Sequence, residues 1–209
     1  MAIFSRHAGL AFLLAAAISW PNVAASRAET CLDAIRKVAK ESNVPEMVLL
    51  AVARIESGRG GADPLPAWPW AVNQAGQSHW FATRKEAEAH VTEALRDGET
   101  NIDIGCLQIN HRWHGTAFSS VSEMFDPLQN TRYAAKFLQT LHAENPDWVI
   151  AAGKYHSRTP SLAEAYQGRF QAALAATHST SGRIELRAKN NFPLLKGGRP
   201  AFADLPCPR

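Results

Sequence analysis

The stretch Met47-Val48-Leu49-Leu50-Ala51-Val52-Ala53-Arg54-Ile55 runs straight into Glu56-Ser57-Gly58. Apolar side chains at 48, 49, 52 and 55 recur at helical spacing. The segment therefore predicts a buried helix with a carboxylate at its C-terminal end. A carboxylate there is disfavoured twice. Partial burial raises its pKa, and the negative end of the helix dipole raises it further. A carboxyl that stays protonated near neutral pH can serve as a general acid. The plain alternative is an exposed glutamate at a helix end, paired with Arg54 or Arg59.

Residues 1–25 have the pattern of a secretory signal. Arg6 and His7 lie in a short n-region, an apolar run from Ala8 to Trp20 follows, and Val23-Ala24-Ala25 offers small residues for cleavage. The run is too short to span a bilayer comfortably and stops at Pro21. The expected location is the periplasm, with no transmembrane segment left in the mature chain; the alternative is an uncleaved N-terminal anchor. Cleavage after Ala25 removes Arg6 and no acid, so the formal charge falls from +3 to +2. That is too small to suggest nucleic acid as a partner. A weakly basic surface suits an anionic cell-wall polymer.

An exported chain can keep a disulfide. Of Cys31, Cys106 and Cys207, the first two belong to the expected folded domain and the third lies in a Gly- and Pro-rich tail. A Cys31–Cys106 bridge is the favoured pairing. Three free thiols, or a bridge to Cys207, are the alternatives.

Helix signals dominate the remainder. Asp33 to Ser42 reads as a first helix, and Asn43-Val44-Pro45 turns into the second. Thr83-Arg84-Lys85-Glu86 is a capping box that opens a helix through Arg96, stopped by Gly98. Asp126-Pro127, Asp147 and Thr159-Pro160 each start another, the last running to about Thr177. One segment differs. Trp68-Pro69-Trp70-Ala71-Val72-Asn73 and Ser78-His79-Trp80-Phe81 flank Gln74-Ala75-Gly76-Gln77, which predicts a small β-hairpin. Its tryptophans form either a mini-core or a stacking platform for sugar rings. From Ser179 the pattern dissolves into Gly, Pro and charge. The expected organisation is a signal at 1–25, one domain over 29–178, and a disordered tail over 179–209.

Two more segments carry chemistry. In Asn101-Ile102-Asp103-Ile104-Gly105-Cys106-Leu107-Gln108-Ile109-Asn110, the glycine allows close backbone approach, and Gln108 and Asn110 bring amides to whatever approaches. In Ala151-Ala152-Gly153-Lys154-Tyr155-His156-Ser157, small residues precede a tyrosine that can reach an interior site. Ordinary helix packing is the alternative for each segment taken singly.

Together, Glu56-Ser57, Gly105-x-Leu107-Gln108-Ile109-Asn110 and Ala152-x-x-Tyr155-x-Ser157 resemble the three-motif signature of lytic transglycosylases with the soluble-lytic-transglycosylase (SLT) domain, of a proteobacterial periplasmic type. The resemblance covers roughly residues 31–175. It implies a mainly α, lysozyme-like fold (goose-type or SLT) with a small β-hairpin insertion. It also implies cleavage of the β-1,4 bond between N-acetylmuramic acid and N-acetylglucosamine in peptidoglycan, with 1,6-anhydro ends. Carried over, Glu56 is the catalytic acid/base. Ser57, Gln108, Asn110, Tyr155 and His156 bind substrate, with Ser57 helping to orient Glu56 and Tyr155 hydrogen-bonding near it. Neither metal nor cofactor is implied. Chains of this type often open the wall for a secretion or flagellar assembly, which is the partner class added to the glycan strands. Two departures stand out: Cys106-Leu107 where Leu-Met is usual, and His156 in place of Asn.

Rival readings remain open at this point. Asp103 is expected to cap a helix starting near Ile104; facing the cleft instead, it could position water for a hydrolytic muramidase. Cys106 with His111, His114 or His156 would make a cysteine peptidase or amidase. His111 and His114 have a metal-like spacing but no third ligand. A non-catalytic wall-binding or assembly factor would have no reason to keep an awkwardly placed Glu56.

Overall fold

The computed structural model describes residues 30–59, 66–189, 195–196 and 199–200 of the chain. The expected signal at 1–25 and Cys207 lie outside them. Helix α1 (Cys31–Glu41) starts two residues before the sequence suggests, because Thr30 and Asp33 form a capping box. It turns Cys31, Ala34, Ile35 and Val38 inward as one stripe. Helix α2 (Glu46–Ser57) follows Pro45 and buries Val48, Leu49, Ala51, Val52 and Ala53. That spread covers most of its circumference, so α2 sits among other elements rather than on the surface.

Strands β1 (Ala71–Gln74) and β2 (Gln77–Trp80) form the expected hairpin. Ala75 and Gly76 both have positive φ, the two-residue turn whose twist suits a hairpin. Helix α3 (Arg84–Arg96) has the capping box read from Thr83 and Glu86. The hairpin does not stand alone. Strands β3 (Ile102–Ile104) and β4 (Ile109–Asn110) extend it into a four-stranded antiparallel sheet of order β2-β1-β3-β4. Here the helical expectation fails. Ile102 and Ile104 are buried while Asp103 between them points away, a period of two. Asp103 pairs with Asn73 and Asn110 across the sheet and caps no helix.

Helices α4 (His111–His114), α5 (Val121–Phe125), α6 (Pro127–Glu144), α7 (Trp148–His156) and α8 (Pro160–Lys189) follow, and then a short antiparallel pair, β5 (Leu195–Lys196) and β6 (Arg199–Pro200). Helix α1 packs on α2 and α6, and α8 lies against both α2 and α7. Leu49, Ile104, Leu107, Met124, Phe125, Leu138, Tyr166 and Phe170 are buried in the shared core. The molecule is thus mainly α with a small sheet, as the resemblance implied. Helix α8 runs past Thr177 to Lys189, so the expected tail begins inside a helix. Gly182 does not stop it, and the following Arg183-Ile184-Glu185-Leu186-Arg187-Ala188-Lys189 is rich in helix formers. Among the described residues no helix is long and apolar enough to cross a membrane.

Cys31 and Cys106 are bridged, with Cα atoms 5.6 Å apart. The bond fastens the start of α1 to the turn between β3 and β4 and closes a loop of 75 residues in sequence separation. Replacing both cysteines by serine should cost about 2–4 kcal/mol, since the unfolded chain regains that loop's freedom. Urea melts of the two proteins should show the loss as a lower midpoint. An unchanged midpoint would mean that the bridge adds nothing to stability.

Candidate active site

Glu56 is the penultimate residue of α2, and its neighbour Ser57 shows why the helix ends where it does. Ser57 is 1% exposed. Its hydroxyl donates to the Cys106 carbonyl at 2.7 Å and accepts from the Trp68 amide at 3.2 Å. The last turn of α2 is therefore pinned to the second motif and to the strand-bound loop. Ser57 does not line the cleft, so the expected substrate contact is corrected to a positioning one.

The second motif is a strand, a tight turn and a strand. Gly105 (φ 82°) and Gln108 (φ 47°) both occupy the left-handed region. At Gly105 a Cβ would come within 2.8 Å of Asn130 Nδ2, so the turn needs glycine for space as well as for φ. Asn130 is fully buried. It accepts from the Leu107 amide (2.9 Å) and donates to the carbonyls of Ile104 (2.8 Å) and Met124 (2.9 Å). The Gln108 amide nitrogen donates to the carbonyls of Ala71 and Gly105, which leaves its oxygen to accept from a ligand.

These pieces enclose a cleft of about 350 Å³ lined by Glu56, Asn73, Asp103, Gln108, Asn110, Trp113, His114, Tyr155 and His156. Five of the six expected site residues meet there; Ser57 lies just behind. The Tyr155 hydroxyl donates to the Leu107 carbonyl at 2.7 Å, close enough to Glu56 for that carboxyl to act on the phenol. Asn110 Nδ2 donates to Asp103 Oδ1 at 2.8 Å and to Asn101 Oδ1 at 3.1 Å.

The Glu56 carboxyl is pushed up to about 7, mainly by burial. The Tyr166 phenol opposes that shift, the Asp103 charge adds to it, and the Arg169 cation opposes it. Tyr166 Oη and Glu56 Oε1 are both buried and face each other, near enough for the phenol to favour the carboxylate though short of a well-formed hydrogen bond. Tyr166 is held between the His156 ring, stacked at 4.7 Å, and the Arg169 guanidinium at 5.1 Å. Burial raises both the Tyr155 and Tyr166 phenols well above their ordinary range, and Glu56 adds to each. Both are therefore neutral donors near pH 7. Burial pushes the Asp103 carboxyl up, and its bond from Asn110 pulls it back. Burial also lowers His114 and His156, the latter with help from Arg169, so both cleft imidazoles are neutral near pH 7.

The cleft thus offers two carboxyls, Glu56 and Asp103, both raised by burial, with amides and neutral donors and no cation in its lining. Residues 33–173 match the transglycosylase SLT domain. The chain belongs to that family. The match spans the helical domain, including the cleft and Tyr166. The SLT transglycosylases are lyases that act on peptidoglycan, with a lysozyme-like fold. Neither curated proteins nor solved structures gave a match.

For an SLT transglycosylase, the rival readings fare as follows. Cys106 has no free thiol, which removes the cysteine peptidase. Among the described residues, no three His, Cys, Asp or Glu side chains gather where a metal could be held. Trp68, Trp70 and Trp80 of the hairpin do not line the cleft. Trp68 and Trp80 spend their ring N–H on the carbonyls of Phe81 and Ser57, and Trp70 packs against Phe125. The tryptophan that lines the cleft is instead Trp113, 72% exposed on α4.

Tyr166 was not anticipated. Its signal in the sequence is faint: a single phenol in the stripe Ala163, Tyr166, Phe170, Ala173 and Leu174. Tyr166→Phe should lower kcat by roughly tenfold to a hundredfold, with little change in KM. A steady-state comparison on wall fragments checks this. Unchanged kcat would make the tyrosine packing only.

Proposed function

We propose that Glu56 is the single acid/base of this peptidoglycan lytic transglycosylase, and that the products carry 1,6-anhydro-muramic ends. The observation that carries the reading is a carboxyl near pKa 7, buried against the Tyr166 phenol and lining a polar cleft. At neutral pH such a group is present in both protonation states, as a residue that first gives and then takes a proton requires.

The steps follow from that one group. Protonated Glu56 gives its proton to the glycosidic oxygen as the bond to the muramic anomeric carbon breaks. The sugar's own acetamido oxygen bonds to that carbon and shares the positive charge. The Glu56 carboxylate then takes the proton of the muramic 6-hydroxyl. The freed oxygen attacks the anomeric carbon, displaces the acetamido oxygen and closes the anhydro ring. No water is consumed, and Glu56 ends protonated as it began. Tyr166 and Tyr155 stay protonated throughout, and Ser57 keeps the end of α2 in place.

One observation favours a second reading, hydrolysis of the same bond. Asp103 lies in the same cleft and its charge is felt at Glu56. A second carboxylate is what a hydrolase uses to activate water. Against this, one Asp103 oxygen is already held by Asn110. Mass spectrometry of digested peptidoglycan separates the two. Anhydro ends, with Asp103→Asn losing little activity, support the single-acid reading. Reducing ends, with Asp103→Asn inactive, would replace it by hydrolysis.

We also propose that the chain works in the periplasm, supported by the signal pattern at 1–25 and by a disulfide that suits an oxidising compartment. The proposal does not extend to a secretion or flagellar assembly, on which the described residues do not bear.

A further inference from the structure

Helix α4 is a single turn, and it walls two depressions. Trp113 and His114 face the cleft. His111 and Arg112, with Thr100, Gly115 and Thr116, line a second depression of about 350 Å³. The two are also joined below α4. Asn110 of the cleft bonds to Asn101, the neighbour of Thr100, and Arg112 Nε donates to Thr100 Oγ1 at 3.1 Å.

The second depression has the donors that the cleft lacks. Arg112 brings a fixed positive charge, and only one of its N–H groups is committed to Thr100. Its ion pair with Glu99 is long, at 3.8 Å, and lies near the surface. Such a pair holds the guanidinium weakly and leaves its remaining N–H groups for a stronger acceptor. Thr100 and Thr116 add hydroxyls. His111 Nδ1 is buried and has no partner among the described residues. The His111 ring lies over Gly115, where an added Cβ would come within 3.0 Å of it, so glycine lets the ring pack against the backbone there. A guanidinium with hydroxyl and imidazole neighbours is the donor set for a carboxylate.

The substrate carries carboxylates at the right reach. Each muramic ring bears a lactyl ether that continues as a short acidic peptide. The two depressions lie on opposite sides of one helical turn, a width of roughly 10 Å. An extended peptide covers that in roughly three residues. We propose that the Arg112 depression is a subsite for a carboxylate of the peptide stem on the glycan held in the cleft. The inference rests on the cleft being the glycan site. It makes the enzyme selective for strands that still carry their stems.

The test uses the purified protein and two substrates: glycan strands with stems intact, and the same strands stripped by an amidase. The quantity read is the ratio of kcat/KM between them. Wild type should favour stem-bearing strands by about tenfold, as one charge-assisted contact allows. Arg112→Ala should bring the ratio close to one, Arg112→Glu below one, and Arg112→Lys should keep part of it. Should Arg112→Ala prove unstable by thermal melt, Thr116→Val, at an exposed site, should lower the same ratio. A wild-type ratio of one, or a ratio untouched by Arg112→Ala and Arg112→Glu, overturns the subsite and leaves the glycan reading standing. Wild type that cleaves neither substrate overturns both.

Discussion

Glu56→Gln is expected to lower strand cleavage by about a thousandfold or more, because the amide can neither give the first proton nor take the second. Both half-reactions fail together, so no intermediate should accumulate in a single-turnover digest. Wild-type kcat/KM should fall as pH rises above about 7, where the carboxyl loses its proton. The variant also has a thermodynamic signature. The folded carboxyl holds its proton up to about 7, whereas the ordinary value is 4.5. Between those values the folded protein binds more protons than the unfolded one, so wild-type stability falls as pH rises through that window. The loss is up to about 3 kcal/mol. Glutamine does not titrate, so Glu56→Gln should be more stable than wild type at pH 8 and not at pH 4. Activity near wild type in Glu56→Gln would sink the assignment of the site. A stability difference independent of pH would mean that Glu56 is not held protonated.

Asn130→Ala should be the most destabilising single change near the site. The side chain is fully buried and holds the turn of the second motif from one side. Its removal leaves the Leu107 amide without its acceptor and the Ile104 and Met124 carbonyls without their shared donor. Orphaned buried groups of this kind, with the small cavity added, amount to about 3–5 kcal/mol. Urea denaturation measures the loss directly. Gly105→Ala attacks the same contact from the other partner and should also destabilise, through a poor φ and a clash with the Asn130 amide. A loss under 1 kcal/mol in Asn130→Ala would mean that water replaces the amide without penalty.

What could be read from the sequence follows from the length of each signal. Helix α2 announces itself over a long apolar run, and Glu56 is visible because a carboxylate ends that run. The Thr83–Glu86 box and the Asp126-Pro127 start are local chemistry, and both caps are present. The Cys31–Cys106 pair could be favoured because the third cysteine sits outside the domain. Strands β3 and β4 are too short for alternation to rise above chance, which is why Asp103 passed for a helix cap. Ser57 stands next to Glu56 in the sequence, and only the fold shows its hydroxyl spent on the Cys106 carbonyl. Tyr155 could be expected near Glu56 at the cleft, but its acceptor, the Leu107 carbonyl, could not be named, since backbone carbonyls leave no trace in a sequence. Trp113 could not be ranked above the hairpin tryptophans without knowing which rings the core absorbs.

Every residue that lines the cleft precedes Pro160, yet the phenol that faces Glu56 comes from α8. The two are made at opposite ends of the domain. A chain that had emerged only as far as α7 would carry every residue of the cleft lining but lack the phenol and the cation that act on its carboxyl. The last helix adds the Tyr166 phenol and the Arg169 cation, both of which act on that carboxyl. The cleft and the groups that tune its carboxyl are thus completed by different parts of the chain, the tuning groups last.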